Sequence, residues 1–226
     1  MRRAVDFVAS LLLLIVFSPL LAIVAVAVRL SSPGPVFYGA ERVGQGGKLF
    51  RMLKFRTMVV GADRMGPGIT VQDDPRVTRV GHFLRATKID ELPQLVNVLT
   101  GEMSLIGPRA ESPQFVAHYT SRQRRLLDVP PGVTGPGQLR YTTEQQEQVG
   151  DLASAEDVYV KELLTAKLDR DLKYLERRGL VEDVKILAET AWVMTTGLAR
   201  AAGRLGRRAA GGPPAASSGP ESGREG

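Results

Sequence analysis

Leu11 to Val28 is a run of eighteen residues that is apolar except for Ser18 and Pro19. As a helix it would reach about 27 Å, just short of the roughly 30 Å hydrocarbon core of a bilayer. Arg2 and Arg3 flank one end and Arg29 the other. A spanning helix would send one basic flank across the membrane, against the positive-inside tendency. Pro19 removes a backbone donor near the middle and crowds the turn before it. The segment is therefore expected to be a re-entrant helix-break-helix over residues 1–30, broken at Ser18 and Pro19, that dips into one leaflet and returns. An ordinary single span is the main alternative. A signal peptide is a third, since Ala25-Val26-Ala27 imitates a cleavage site. Asp6 interrupts its start, however, and the apolar run is long.

Charge agrees with a lipid surface. The net charge is +6, but Arg2, Arg3 and Arg29 outweigh Asp6 at one end, and Arg200, Arg204, Arg207, Arg208 and Arg224 outweigh Glu221 and Glu225 at the other. The middle is close to neutral. Basic ends beside a greasy segment favour an anionic membrane over nucleic acid. The chain has no cysteine and only two histidines, His82 and His118. That removes disulfides and cysteine-based zinc sites and disfavours a multi-histidine metal centre.

After the Ser31–Pro35 turn, Val36 to Tyr38 and Leu49 to Phe55 are expected to pair as a hairpin across the Gly-rich Gly44–Lys48 turn. That turn fails as a phosphate loop, because Arg42 and Leu49 stand where the motif needs Gly and Ser or Thr. Lys54 and Arg56 bracket Phe55. Residues 61–75 read as a loop, and Asp73-Asp74-Pro75 as turn chemistry rather than a metal site.

The stretch Leu84 to Arg109 is the densest in chemistry. Pro93 is tolerated only in the first turn of a helix, so a helix is expected to start at about Lys88 to Asp90 and stop at Gly101. Asp90 and Glu91 then lie in its first turn, with Arg85 before and Arg109 after. Thr87 and Asp90 fit a capping signature, so the acids alone mean no more than a helix start. Acids at a positive helix end, with arginines nearby, also suit phosphate chemistry.

Ser112-Pro113 is expected to open a helix to about Leu127, and Val133 to Arg140 a Gly-rich loop near a ligand. Residues 156–175 and 181–198 carry apolar residues at helical spacing, and either could pack on the core or, with Trp192, lie in the membrane interface. From Ala199 the composition turns to Ala, Gly, Pro, Ser and Arg, which reads as a disordered tail. The fold class is α/β and helix-rich with a small hairpin. The parts are a membrane segment over 1–30, a catalytic body over 31–198 and a tail over 199–226.

Several blocks, in order, resemble one family. They are RRAVDFVASLLLLIVFSPLL, SSPGPVFY, KLFRMLKFRTM, DPRVTRVGHFLR, IDELPQLVNVLTGEMSLIGPR and PGVTGPGQLR. Together they resemble the bacterial sugar transferases, the monotopic polyprenyl-phosphate phosphoglycosyl transferases, from about Arg2 to Leu198. The resemblance implies transfer of a phosphosugar from a nucleotide-sugar to a polyprenyl phosphate at the cytoplasmic face of the bacterial inner membrane, with Mg²⁺ as cofactor and a nucleoside monophosphate released. It implies Asp90 as nucleophile, through a phospho-aspartyl intermediate, and Glu91 as the Mg²⁺ ligand. It implies Lys54, Arg56, Arg85 and Arg109 as phosphate contacts and Gln138 near the nucleotide or sugar. The implied partners are a nucleotide-sugar, a polyprenyl phosphate and the lipid bilayer, with no nucleic acid; a homodimer is allowed. Lys88-Ile89 stand where the family often has Ser-Leu, Ala110 where a second Pro is common, and Gly135 to Tyr141 depart from the usual loop. A non-catalytic membrane scaffold for glycan assembly is the alternative function.

Overall fold

In a computed structural model of the protein, which describes residues 2–66, 68–70, 74–139 and 155–209, the first element is a single helix, α1, over Arg2–Ser31. Helical structure continues through Pro19, so the expected break is not an interruption of the helix. The reason is local. Pro19 cannot donate to the carbonyl of Ile15 four residues back, and the Ser18 hydroxyl donates to that carbonyl instead, at 2.8 Å. Among the described residues, α1 alone is long and apolar enough to cross a membrane.

Both ends of α1 lie against the rest of the chain. At its start the Arg3 guanidinium donates to the carbonyls of Val98 and Leu99. The Asp6 carboxylate takes the Ser104 hydroxyl at 2.7 Å. At its far end Val24 and Val28 are buried with Phe55 and Leu84. Leu12, Ile15, Val16, Ile23 and Val26 stay exposed.

The hairpin forms, with a first strand that starts at Phe37 and runs to Val43, well past the expected end at Tyr38. Strand β1 (Phe37–Val43) pairs antiparallel with β2 (Leu49–Phe55), Phe37 opposite Phe55 and Val43 opposite Leu49. The Gly44–Lys48 segment is its turn, with Gly46 and Gly47 at φ of 67° and 77°. Met58 bridges Val77. Helix α2 (Arg79–Thr87) comes next, capped by the Thr78 hydroxyl, which accepts from Gly81 N–H. Gly81 sits hard against the chain leaving β2, where a Cβ would stand 2.0 Å from the Thr57 carbonyl oxygen.

The acidic pair lies in a 3₁₀ turn, Ile89–Glu91, and helix α3 begins only at Gln94 and runs to Thr100. The expected start near Lys88 is corrected by the backbone there. Lys88 adopts a left-handed conformation, φ 61° and ψ 11°, which ends α2 and separates it from the 3₁₀ turn. Thr87 caps nothing ahead of it, and its hydroxyl donates back to Phe83 and Leu84.

Two short parallel strands, β3 (Ser104–Ile106) and β4 (Gly132–Thr134), flank a long crossover. Within it the single helix expected to reach Leu127 is two pieces: α4 (Pro113–Val116) and a 3₁₀ stretch, Gln123–Asp128. Thr120 and Gln123 explain the restart. The Gln123 side chain accepts from Thr120 N–H while the Thr120 hydroxyl accepts from Gln123 N–H, a reciprocal capping box.

A one-turn helix, α5, covers residues 136–139. Helix α6 (Ala155–Val158) passes through a π-helical segment, Tyr159–Leu164, into α7 (Thr165–Arg177). Leu164, Leu168 and Leu172 are buried against Phe115, Val116, Tyr119 and Leu126, so this amphipathic helix serves the core. The last, α8 (Leu180–Ala209), buries Ile186 with Ile106 and Tyr174 but leaves much of its apolar side exposed. Val184 and Leu187 are exposed and Trp192 is 71% exposed. It is fastened further by Thr190 to Thr134 at 2.7 Å, and by Gly197, where a Cβ would stand 2.1 Å from the Ala86 carbonyl oxygen. Helix α8 runs past residue 199, where the tail was expected to begin. Residues 210–226 of that tail, like Arg140 and Tyr141, lie outside the described residues.

Candidate active site

The site is assembled by elements far apart in sequence. Asn97 on α3 docks that helix onto the edge of β2. Its amide donates to the Arg51 carbonyl and accepts from Leu53 N–H, each at 2.9 Å. A side chain thereby completes the backbone pairing of the strand. This docking carries Lys54, the next residue of β2, to the 3₁₀ turn holding Asp90 and Glu91.

Glu91 is the hub. Its Oε1 accepts from Lys54 Nζ at 3.0 Å and from the Arg109 guanidinium at 3.2 Å. Its Oε2 accepts from the Gln138 amide at 2.7 Å. Asp90 is equally enclosed, at 6% exposure against 7% for Glu91. Its Oδ1 is buried and has no hydrogen-bond partner. Arg85 donates to the Thr57 hydroxyl at 2.8 Å and stands within electrostatic reach of Asp90.

Burial alone would raise both carboxyls, and their neighbours drive them apart. Burial and the charge of Glu91 push Asp90 up, against Lys54, Lys88 and Arg85. For Glu91 the pull of Lys54, Arg109 and Lys88 overcomes burial and holds it well below the usual carboxylate range. One member of the pair is thus firmly ionised. The other is a poised carboxylate whose charge depends on what cation or phosphate environment completes the site.

The turn carrying Arg109 is held from behind. Gly107 N–H donates to the Thr134 carbonyl at 3.0 Å, and Gly132 N–H to the Pro108 carbonyl at 2.9 Å. These backbones approach so closely that a Cβ on Gly132 would lie 2.1 Å from Gly107 N. Asp171 on α7 then accepts from Arg109 N–H at 3.3 Å and from Gly137 N–H at 2.9 Å. That carboxylate ties the Arg109 turn to α5 and so to Gln138.

Of the residues expected in the site, Asp90, Glu91, Lys54, Arg85, Arg109 and Gln138 come together. Arg56 does not. Its guanidinium donates to the carbonyls of Ser32 and Pro33 and to the Ser32 hydroxyl, fastening the turn after α1. Strand β2 ends at Phe55, so the alternation that would keep Arg56 on the side of Lys54 no longer applies. Ser18 and Pro19 belong to α1, and Asp74 binds Arg76 bidentately in a buried turn.

Asn97, Asp171 and Lys88 are contributors that sequence reasoning passed over. Asn97 is a lone amide among the apolar residues of α3. Lys167 and Asp171 stand four apart on the apolar stripe of α7, and a charge on a core-facing stripe is a signal in itself. Lys167 and the Tyr159 hydroxyl both donate to Glu111, forming a buried network behind Arg109. Lys88 had no local signal, since lysine ordinarily avoids a left-handed backbone, at a cost of roughly 1–2 kcal/mol.

Among the described residues no cluster of three or more acidic or histidine side chains could hold a metal unaided. The pair does suit Mg²⁺, which takes hard oxygens from one or two carboxylates and completes its shell with water and substrate phosphates. Asp90 Oδ1 is free, and Glu91 Oε2 has a second lone pair beyond the one that Gln138 occupies.

Two adjacent buried acids, ringed by lysine and arginine that can offset phosphate charge, make a site suited to phosphoryl transfer. Comparison with known proteins gives that class a family. The bacterial sugar transferase family model matches residues 1–197, and the chain belongs to that family. It is 38% identical over 200 residues to the UDP-glucose:undecaprenyl-phosphate glucose-1-phosphate transferase of Caulobacter vibrioides, covering 84% of this chain and 67% of that one. It is also 38% identical to the protein of the same name in Escherichia coli, over 85% of this chain and 39% of that one. A putative undecaprenyl-phosphate N-acetylgalactosaminyl 1-phosphate transferase of Bacillus subtilis is 41% identical, over 66% of this chain and 82% of its own length. The chain therefore spans well under half of its relative in Escherichia coli and about two thirds of the one in Caulobacter vibrioides.

Proposed function

We propose that this protein transfers a sugar-1-phosphate from a UDP-sugar to undecaprenyl phosphate, giving the polyprenyl-diphosphate-sugar and UMP. The observation that carries this reading is the buried, unpartnered Asp90 Oδ1 beside a Glu91 held ionised by Lys54, Arg109 and Gln138. A buried oxygen without a partner is costly unless a ligand completes it. The Asp90 oxygen attacks the sugar-bearing phosphorus, the bond to the bridging oxygen breaks, and UMP departs with the electron pair. An oxygen of the polyprenyl phosphate then attacks the same phosphorus of the phospho-aspartyl ester, and the Asp90 carboxylate is released. Lys54, Arg85 and Arg109 offset charge on the phosphoryl oxygens. Glu91 would hold Mg²⁺, which neutralises diphosphate charge when bound. Arg56 has no part in this, being engaged at the end of α1.

The names of the relatives support a first membrane step in polysaccharide or glycoconjugate assembly. A re-entrant, one-sided placement of α1 at the cytoplasmic face of the inner membrane is part of the same reading. Its support is that Arg3 and Asp6 at one end, and Val24 and Val28 at the other, contact one body. A helix crossing the bilayer would carry one of those ends about 30 Å away. The apolar outer side of α1 and that of α8, with Trp192, are then the surfaces in lipid.

The test is purified protein with Mg²⁺, undecaprenyl phosphate and a panel of UDP-sugars, with UMP as the readout. Release of UMP with at least one sugar, lost in Asp90→Asn, is expected. No release with any sugar, or full activity in Asp90→Asn, would sink the mechanism. Retained biological function in Asp90→Asn would favour a scaffold.

A further inference from the structure

Lys88 is the one non-glycine residue with a positive φ among the described residues, and it stands two positions before Asp90. Glycine is comfortable in that backbone and asparagine tolerates it, whereas lysine gains nothing from it locally. Strain of this kind persists where the surroundings require it, and it gathers at functional sites. The Lys88 side chain is half-buried and lies within electrostatic reach of Glu91, Asp90, Arg109 and Arg85. Yet its ammonium makes no hydrogen bond or ion pair with any described residue, whereas Lys54 and Arg109 both bind Glu91 directly. Asp90 and Glu91 face four cations, Lys54, Arg85, Lys88 and Arg109, so positive charge is in surplus before any ligand arrives. The surplus matches the charge of a diphosphate or a phosphate monoester.

We propose that Lys88 is a phosphate-binding residue, held beside Asp90 by the left-handed turn so that its ammonium meets a substrate phosphoryl oxygen. The role rests on the transferase reading. Its ligand chemistry, a phosphoryl oxygen, is shared by the nucleotide-sugar and the lipid phosphate. A left-handed residue turns the chain sharply between α2 and the 3₁₀ turn. The same turn therefore presents the acid and the cation together. Because the backbone there favours glycine, the charge can be removed without harming the fold.

The experiment compares the detergent-solubilised full chain with Lys88→Gly and Lys88→Asn, two residues that accept the backbone. Thermal stability is measured with and without inorganic pyrophosphate, alongside steady-state and single-turnover UMP release. The expected result is an unchanged or higher Tm in Lys88→Gly, loss of most of the pyrophosphate-induced Tm rise, and a roughly 10- to 100-fold lower kcat/KM. Slow UMP release in a single turnover without lipid assigns the contact to the nucleotide-sugar. Normal single-turnover release with a raised KM for undecaprenyl phosphate assigns it to the lipid. A Lys88→Gly protein with wild-type kinetics and wild-type pyrophosphate stabilisation overturns the proposal, whatever its Tm. If the wild type releases no UMP from any UDP-sugar, the transferase reading fails by itself. The pyrophosphate arm then still decides on Lys88: a lost Tm rise upholds the phosphate contact and an intact one removes it.

Discussion

The Asp171 carboxylate accepts the backbone N–H of Arg109 at 3.3 Å while its other oxygen accepts Gly137 N–H at 2.9 Å. A buried acid on α7 thus spaces two segments that supply Glu91 with donors, Arg109 from one and Gln138 from the other.

Asp171 should therefore shape the pH profile. Burial pushes its carboxyl up to about 6, from 3.8 in the unfolded reference. The folded protein then binds the proton more tightly than the unfolded chain. This group's contribution to stability is fullest below about pH 3.8 and is lost as pH rises through about 6. Activity should take the opposite course, because protonation costs one of the two N–H groups its acceptor. UMP release is expected to decline below about pH 6 with no matching fall in Tm from this group. Asp171→Asn, which presents an amide NH₂ to one of those N–H groups, should lose roughly tenfold in activity and lack that acidic limb. A pH–rate series on both proteins checks this, and an unaltered limb in the variant would remove Asp171 from the account.

Asp90→Asn and Glu91→Gln should part company in stability while agreeing in activity. Both are expected to abolish UMP release, and chelating Mg²⁺ should do the same to the wild type. Asp90→Asn relieves repulsion with Glu91, so its Tm should hold or rise. Glu91→Gln leaves Lys54 and Arg109 without their shared carboxylate and should cost about 2–4 kcal/mol. Urea unfolding of the pair measures the difference.

Asn97→Leu keeps the branched side-chain skeleton and removes both hydrogen bonds to β2. The Leu53 N–H and Arg51 carbonyl then lose a partner in a part-buried seam, for an expected loss of about 1–3 kcal/mol. Activity of the surviving folded fraction should fall as well, since Lys54 is carried on that strand. Equal specific activity at saturating substrate would show the docking to be structural alone.

Gly81→Ala should loosen α2. The added methyl would stand 2.0 Å from the Thr57 carbonyl oxygen, so helix and strand must separate. The loss expected is about 1–3 kcal/mol, with weaker substrate binding through the displaced Arg85. A denaturation curve and KM for the UDP-sugar report the two effects separately.

The protein has no native cysteine, so single thiols can report the placement of α1. Ala4→Cys and Ser31→Cys are expected to label from the same side of sealed membrane vesicles. Labelling from opposite faces would replace the re-entrant arrangement with a span.

Much of the local structure was legible in short-range patterns. The hairpin came from two strand-like runs around a glycine turn, and the core role of α7 suits its leucine spacing. The ordered motif blocks carried the resemblance to the bacterial sugar transferase family, to which the match over residues 1–197 assigns the chain. The misreadings came where one side chain decides. The Ser18 hydroxyl carries the helix across Pro19, the Thr120–Gln123 capping box divides the crossover, and the left-handed Lys88 delays α3 to Gln94.

Which cations meet the acids was decided only in three dimensions. Lys54 and Arg56 are two residues apart, and the family resemblance implied the same phosphate-contact role for both. The strand ends between them, and one reaches Glu91 while the other closes the turn after α1. Asp171 and Lys88 likewise act through backbone geometry and burial. Those are properties of chain segments packed together, set by contacts between residues distant in sequence, and local composition does not encode them.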